Sequence, residues 1–243
     1  MTWNPMNLLE TEKHLTILGG TRSGKTNFAI YYARAKLQQN RRVLFVTAKP
    51  EANYRSMFDK RFVNEVDKAI ESLIKEPKKS VLLELDIEQA DEAGRLLNGI
   101  GEWLRMKMEK GEDSRVTVFV DEISLLVKNK ADTSDTNVAL TRAAATWSAY
   151  GGQLVSVAQR SAMIHHTVLT QGDLVLFRVP KGDLKSLSMI AYPDMKDEEI
   201  TSYLDNYQYH SIYVDGFDLR YMKPVALQEK NRSKEGTPDE SPP

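Results

Sequence analysis

Residues 14–26 read HLTILGGTRSGKT, and their reading decides the fold. HLTIL is a short apolar, β-branched run, the signature of a strand. GGTRSGKT, residues 19–26, completes the string G-x-x-x-x-G-K-[ST]. Gly19, Gly20 and Gly24 allow the backbone to turn tightly and aim successive N–H groups at one anion. Thr21, Arg22 and Ser23 complete that wall. Lys25 is expected to reach the β- and γ-phosphates of a nucleotide, and the Thr26 hydroxyl to ligate Mg²⁺. The next stretch, NFAIYYARAKLQQ, has helical spacing, so Asn27 falls in the first turn of a helix whose N-terminus also attracts phosphate. Strand, phosphate cradle and helix in this order predict an ATP site, against the plainer reading of a Gly-rich turn.

Outward from the cradle, strand-like and helix-like segments alternate almost to the end. Apolar runs occupy 14–18, 42–48, 80–86, 115–122, 153–159 and 173–179, with amphipathic stretches at 25–39, 66–76, 89–110 and 136–150. The strand runs are nearly continuous in hydrophobicity, as expected for a parallel sheet covered by helices on both faces. The pattern predicts a three-layer α/β domain with a mostly parallel central sheet. Thr136 and Gly151-Gly152 bracket the fourth amphipathic stretch as start and stop signals. Residues 196–205 predict a short late helix, and 210–224 a hairpin turning at Asp215-Gly216. From residue 225 the chain reads polar and Pro-containing, the composition of a disordered tail, so the domain is expected over 1–224.

Composition closes several doors. The 243 residues suit one large α/β domain, 41% of them hydrophobic and 28% charged. Cysteine is absent, which excludes disulfides, thiolate catalysis and Cys-based zinc sites. His165 and His166 are adjacent and lack the spacing of a helical metal pair. No window is apolar enough to span a membrane, and the first residues do not read as a signal peptide. With 33 basic and 34 acidic side chains the net charge is −1, so any DNA partner must meet positive charge focused on one face or inside a ring.

Two further elements complete the expected site. The apolar run 116–120 leads into Asp121-Glu122. A carboxylate at the end of a buried strand suits the Mg²⁺ shell, and a second one suits activation of water. Asp121 is therefore assigned to metal and Glu122 to the general base, with strand alternation expected to send the two apart. Gln159, ending the run QLVSVAQ, is placed to sense the γ-phosphate. A glutamate beside water favours a hydrolase over a small-molecule kinase, and residues 161–172 contain no arginine for a kinase lid.

Cradle, hydrophobic strand with Asp-Glu, then strand with Gln-Arg resembles the FtsK–HerA superfamily of DNA-pumping ATPases. Within it, the short chain looks most like the genome-packaging ATPases of tailless double-stranded DNA viruses. The resemblance implies a RecA-like core, a ring (hexameric by analogy), double-stranded DNA in its channel, and a site shared between neighbours. It also implies action in the host cytoplasm or on the virion, with a capsid or portal vertex protein as partner. Many members carry an arginine acting in trans shortly before the Gly that opens the Gln strand. Here that position is Ser148, and Ser161 stands where Pro is usual. Arg142, Arg160 and Arg178 remain the candidates, Arg142 first. Lys128 and Lys130, in KNKADTSDTN, are the candidate DNA contacts, equally readable as a solvated connector. A nucleotide-dependent assembly or secretion scaffold that touches no DNA is the other reading the motifs allow.

Overall fold

The computed structural model describes residues 5–48, 55–126, 135–190, 197–216 and 218–225. After a 3-10 turn at Pro5–Glu10 come β1 (His14–Leu18), α1 (Lys25–Gln38), β2 (Arg42–Thr47), β3 (Lys60–Val63), α2 (Val66–Lys75) and β4 (Ser80–Glu84). Next are α3 (Ala90–Glu109), β5 (Val116–Asp121), α4 (Ile123–Leu126), α5 (Asp135–Thr146), β6 (Gly152–Ala158) and α6 (His166–Thr170). The chain continues through β7 (Gly172–Leu176), α7 (Lys181–Ile190), α8 (Asp197–Asn206), β8 (Ser211–Asp215) and β9 (Asp218–Met222).

The strands form one nine-stranded sheet in the order β3-β4-β2-β5-β6-β1-β7-β8-β9. The pairs from β3 to β7 are parallel, whereas β8 and β9 add antiparallel as the C-terminal hairpin. The expected α/β class, mostly parallel sheet and closing hairpin are therefore present. Parallel pairing brings the C-terminal ends of β1, β2, β5 and β6 to one edge, where the motif residues sit.

Alternation along each strand divides the core. One face packs Leu18, Leu44, Val46, Val118, Val120, Leu154 and Leu176 under α2, α3, α5, α7 and α8. The other packs Leu15, Ile17, Phe45, Phe119, Val155 and Val175 against α1, through Phe28, Ala29, Tyr32 and Ala33. Three layers are present but lopsided, since most of the helical cover lies on a single face. Fully burying side chains such as Phe28 or Ile30 contributes roughly 1.5–3 kcal/mol each, so α1 is anchored by packing rather than propensity.

Local differences from the sequence reading have simple causes. The stretch 136–150 divides into α5 and a 3-10 turn, Trp147–Tyr150, ended by Gly151 at φ 80°. Thr136 lies inside α5 rather than ahead of it. The sequence KRFV escaped notice as a strand because β3 is a four-residue edge strand with alternate residues exposed. Helix α7 escaped notice behind Pro180 and Gly182, although Leu184 and Leu187 are buried at helical spacing. Lys128, Lys130 and the tail from residue 226 onward lie outside the described residues.

Candidate nucleotide-binding site

The loop between β1 and α1 is held by its neighbours on both sides. Gly19 N–H donates to the Ala158 carbonyl (3.3 Å), and Gly20 N–H to the Arg178 carbonyl (2.7 Å). A Cβ on Gly19 would stand 2.6 Å from Cβ of Phe177 and 2.9 Å from Ser23 Oγ, so only glycine fits. Arg22 (φ 60°) and Gly24 (φ 99°) take left-handed conformations, which turn the loop back on itself. Helix α1 starts with no side-chain cap. An anion placed there would meet the positive end of the helix dipole.

Inside this cradle, Lys25 is 7% exposed and its Nζ donates to the Gly20 carbonyl at 2.9 Å. The ammonium thus sits within the loop, where incoming phosphate oxygens can replace a carbonyl of the protein. Ser23 Oγ is buried with no hydrogen-bond partner among the described residues. A buried polar atom left unpaired costs free energy, and a bound phosphate would remove that cost.

Strand β6 lies between β1 and β5, so Gln159 emerges between the cradle and the acidic pair. Thr21 Oγ1 donates to Gln159 Oε1 at 3.4 Å, a direct contact between loop and expected sensor. Asp121 ends β5 beside Thr47 of β2, and both Asp121 and Glu122 are buried. Glu122, however, is not a strand residue. It adopts φ 52°, its carbonyl accepts from Leu125 N–H (2.8 Å), and Ser124 Oγ lies 3.5 Å from its carboxylate. Strand alternation therefore does not govern its direction, as the sequence reading assumed; a left-handed turn does. Such a conformation in a glutamate is uncommon and concentrates at functional sites.

The donor set fits a small hard cation carried in with phosphate. Thr26 supplies a hydroxyl at the head of α1, and Asp121 a carboxylate at the end of β5. The described residues hold no group of three or more acidic or histidine side chains arranged around a metal. One hydroxyl and one carboxylate suit Mg²⁺, which keeps waters and binds substrate phosphates rather than an all-protein cage.

Among the candidate arginines, Arg178 meets the loop through its backbone carbonyl, and the side chains of all three have partners elsewhere. Arg142 is exposed on α5 and reaches Asn98 of α3 at 3.5 Å. Arg160 pairs with buried Asp183 (3.2 Å), which also accepts from Ser161 Oγ (2.8 Å). Arg178 makes an exposed pair with Asp205 at 3.4 Å. One charged cluster at this edge went unread in the sequence. Glu84, buried at the end of β4, accepts from Arg55 Nε (2.8 Å) and Nη2 (3.1 Å), and from Arg61 Nε (3.0 Å) and Nη2 (2.7 Å). No local signal links three residues that the β3–β4 pairing and the turn ahead of β3 bring together.

No family model and no curated protein sequence matches the chain. Solved structures do. The genome packaging NTPase B204 from Sulfolobus turreted icosahedral virus 2, in complex with ATP-gammaS, aligns at TM-score 0.64 and 17% identity, covering 92% of this chain and 100% of B204. VirB4 of Thermoanaerobacter pseudethanolicus aligns at TM-score 0.59 and 13% identity, covering 88% and 89% of the two chains. The pCW3 conjugation coupling protein TcpA aligns at TM-score 0.56 and 15% identity, over 88% of this chain and 60% of TcpA. The neighbours are ATPases of the FtsK–HerA type, so the P-loop α/β fold implied by the sequence resemblance is the fold this chain shares with them.

Proposed function

We propose that this chain hydrolyses ATP and uses it to move double-stranded DNA, as one copy in a ring that packages a viral genome. The observation carrying the reading is the convergence, at one sheet edge, of the Gly19–Thr26 loop, Gln159 and the Asp121-Glu122 pair, with Thr21 touching Gln159. B204, a genome packaging NTPase of the same fold and similar length, supports the motor assignment.

In this mechanism the loop amides and the head of α1 bind the phosphates, and Lys25 exchanges the Gly20 carbonyl for β- and γ-oxygens. The Thr26 hydroxyl and the Asp121 carboxylate would hold Mg²⁺, whose charge neutralises that developing on the phosphoryl oxygens. Glu122 accepts the proton of the attacking water. Gln159 orients that water or the γ-phosphate, and loss of the γ-phosphate is felt at Thr21 through their contact. An arginine of a neighbouring copy stabilises the transition state; Arg142 remains the first candidate because Arg160 and Arg178 are held in ion pairs with Asp183 and Asp205. Lys128 and Lys130 track DNA phosphates, and the ring works in the host cytoplasm, at a capsid or portal vertex.

ATP turnover of the wild type and of Glu122→Gln, each with and without duplex DNA, tests the assignment. Duplex DNA is expected to stimulate the wild type. The variant should bind nucleotide but turn over about 10²–10⁴-fold more slowly. Full activity in the variant would remove Glu122 as the base. Turnover indifferent to DNA would favour an assembly ATPase, and phosphoryl transfer to a small acceptor a kinase.

A further inference from the structure

Strand β1 divides the functional edge of the sheet in two. On one side, toward β6 and β5, stand Gln159, Asp121 and Glu122; on the other stand β7 and the C-terminal hairpin. A cleft of about 220 Å³ opens on that second side, its lining including Gly24, Asn27, Phe177, Tyr209, Ser211 and Lys223. The acids define where the γ-phosphate must lie, so the α-phosphate falls at the first turn of α1 and the rest of the nucleotide leaves away from them. Gly24 and Asn27, which begin that turn, are also the border of the cleft. The geometry points to this cleft as the seat of the nucleobase, with the Tyr209 ring as its stacking face. The inference rests on the nucleotide reading above and adds the half of the ligand that the cradle does not hold.

Tyr209 is built for such a role. It precedes β8 at φ 61°, an uncommon conformation for an aromatic residue, and the residue remains 49% exposed. A Cβ on Gly24 would stand 3.5 Å from its Cδ1, so the ring already overhangs the head of α1. The segment carrying it is braced from behind. Tyr203 packs tilted against Tyr207 (5.0 Å) and edge-to-face against Tyr221 (4.5 Å) and His210 (5.9 Å), and His210 N–H donates to the Tyr207 carbonyl at 3.3 Å. Phe177, edge-on to Phe28 at 5.7 Å, lines the same cleft. The volume is below that of a pocket for a complete drug-sized ligand and suits one planar ring system. Asn27 offers both a donor and an acceptor, and Lys223 donors alone, to the edge of that ring. Affinity from stacking grows with ring area and is tolerant of base identity, so the cleft favours purines over pyrimidines.

Calorimetric titration of ATP and of inorganic tripolyphosphate, each with Mg²⁺, into wild type, Tyr209→Ala and Tyr209→Phe separates the possibilities. Tyr209→Ala should weaken ATP by about five- to fiftyfold. Tripolyphosphate affinity should stay unchanged, and Tyr209→Phe should restore ATP binding. Equal losses for both ligands would make Tyr209 a support of the loop and overturn the inference. Unchanged ATP affinity in the alanine variant would overturn it as well. A wild type that binds neither ligand would instead overturn the nucleotide reading itself, a result recognisable without any variant.

Discussion

Glu122 and His14 show how single residues here set free energy aside for different ends. Glu122 holds a left-handed backbone, at a cost of roughly 1–2 kcal/mol for an L-residue, next to the carboxylate expected to bind metal. The strain makes sense if the turn must aim one acid away from the path of β5. His14 lies at the opposite end of β1, where Nδ1 accepts the Leu154 N–H at 2.9 Å and so must stay unprotonated. Burial lowers its pKa from 6.5 to about 4. The fold therefore favours neutral imidazole. That stabilisation is complete above pH 6.5 and is lost as pH falls through 4, about 3 kcal/mol in all. Urea unfolding at pH 7 and pH 4.5 should show the wild type losing about 2 kcal/mol more than His14→Gln. Equal losses would mean that His14 does not titrate with folding.

At the scale of elements, the signals that could be read were the local ones. Strands at 14–18 and 42–47, helices at 25–38 and 66–75 and the Asp215-Gly216 hairpin declare themselves within a few residues of sequence. Strand β3 and helix α7 do not: one is short, charged and half exposed, and the other begins behind Pro180 and Gly182. The β1–β7 pair illustrates a constraint that no local pattern reveals. Gly172 pairs with His14, and a Cβ there would lie 2.3 Å from the His14 carbonyl oxygen and 2.5 Å from its carbon. Both are backbone atoms, so relief requires moving a strand that leads directly into the cradle. Gly172→Ala is expected to destabilise the fold by about 3 kcal/mol in chemical denaturation and to weaken nucleotide binding with it. Wild-type stability in that variant would contradict so close an approach of the two strands.

For the whole molecule, the division of labour along the sheet edge is the central result: acids and Gln159 on one side of β1, the hairpin and its cleft on the other. With a net charge of −1, any DNA partner must meet positive charge focused on part of the surface. If Lys128 and Lys130 each neutralise a phosphate, replacing both with alanine should reduce the slope of log K against log salt by about two for duplex DNA. An unchanged slope would remove them from the contact surface. What the chain determined unaided was the cradle, because eight consecutive residues carry its whole chemistry, and the α/β class, because hydrophobic periodicity is a property of each segment alone. Strand order was decided only in three dimensions. Apolar strands have much the same pattern wherever they sit, and parallel pairing joins residues far apart in sequence. The placement of β6 between cradle and acids, the joining of Arg55 and Arg61 on Glu84, and the arrival of Tyr209 above Gly24 all follow from that order.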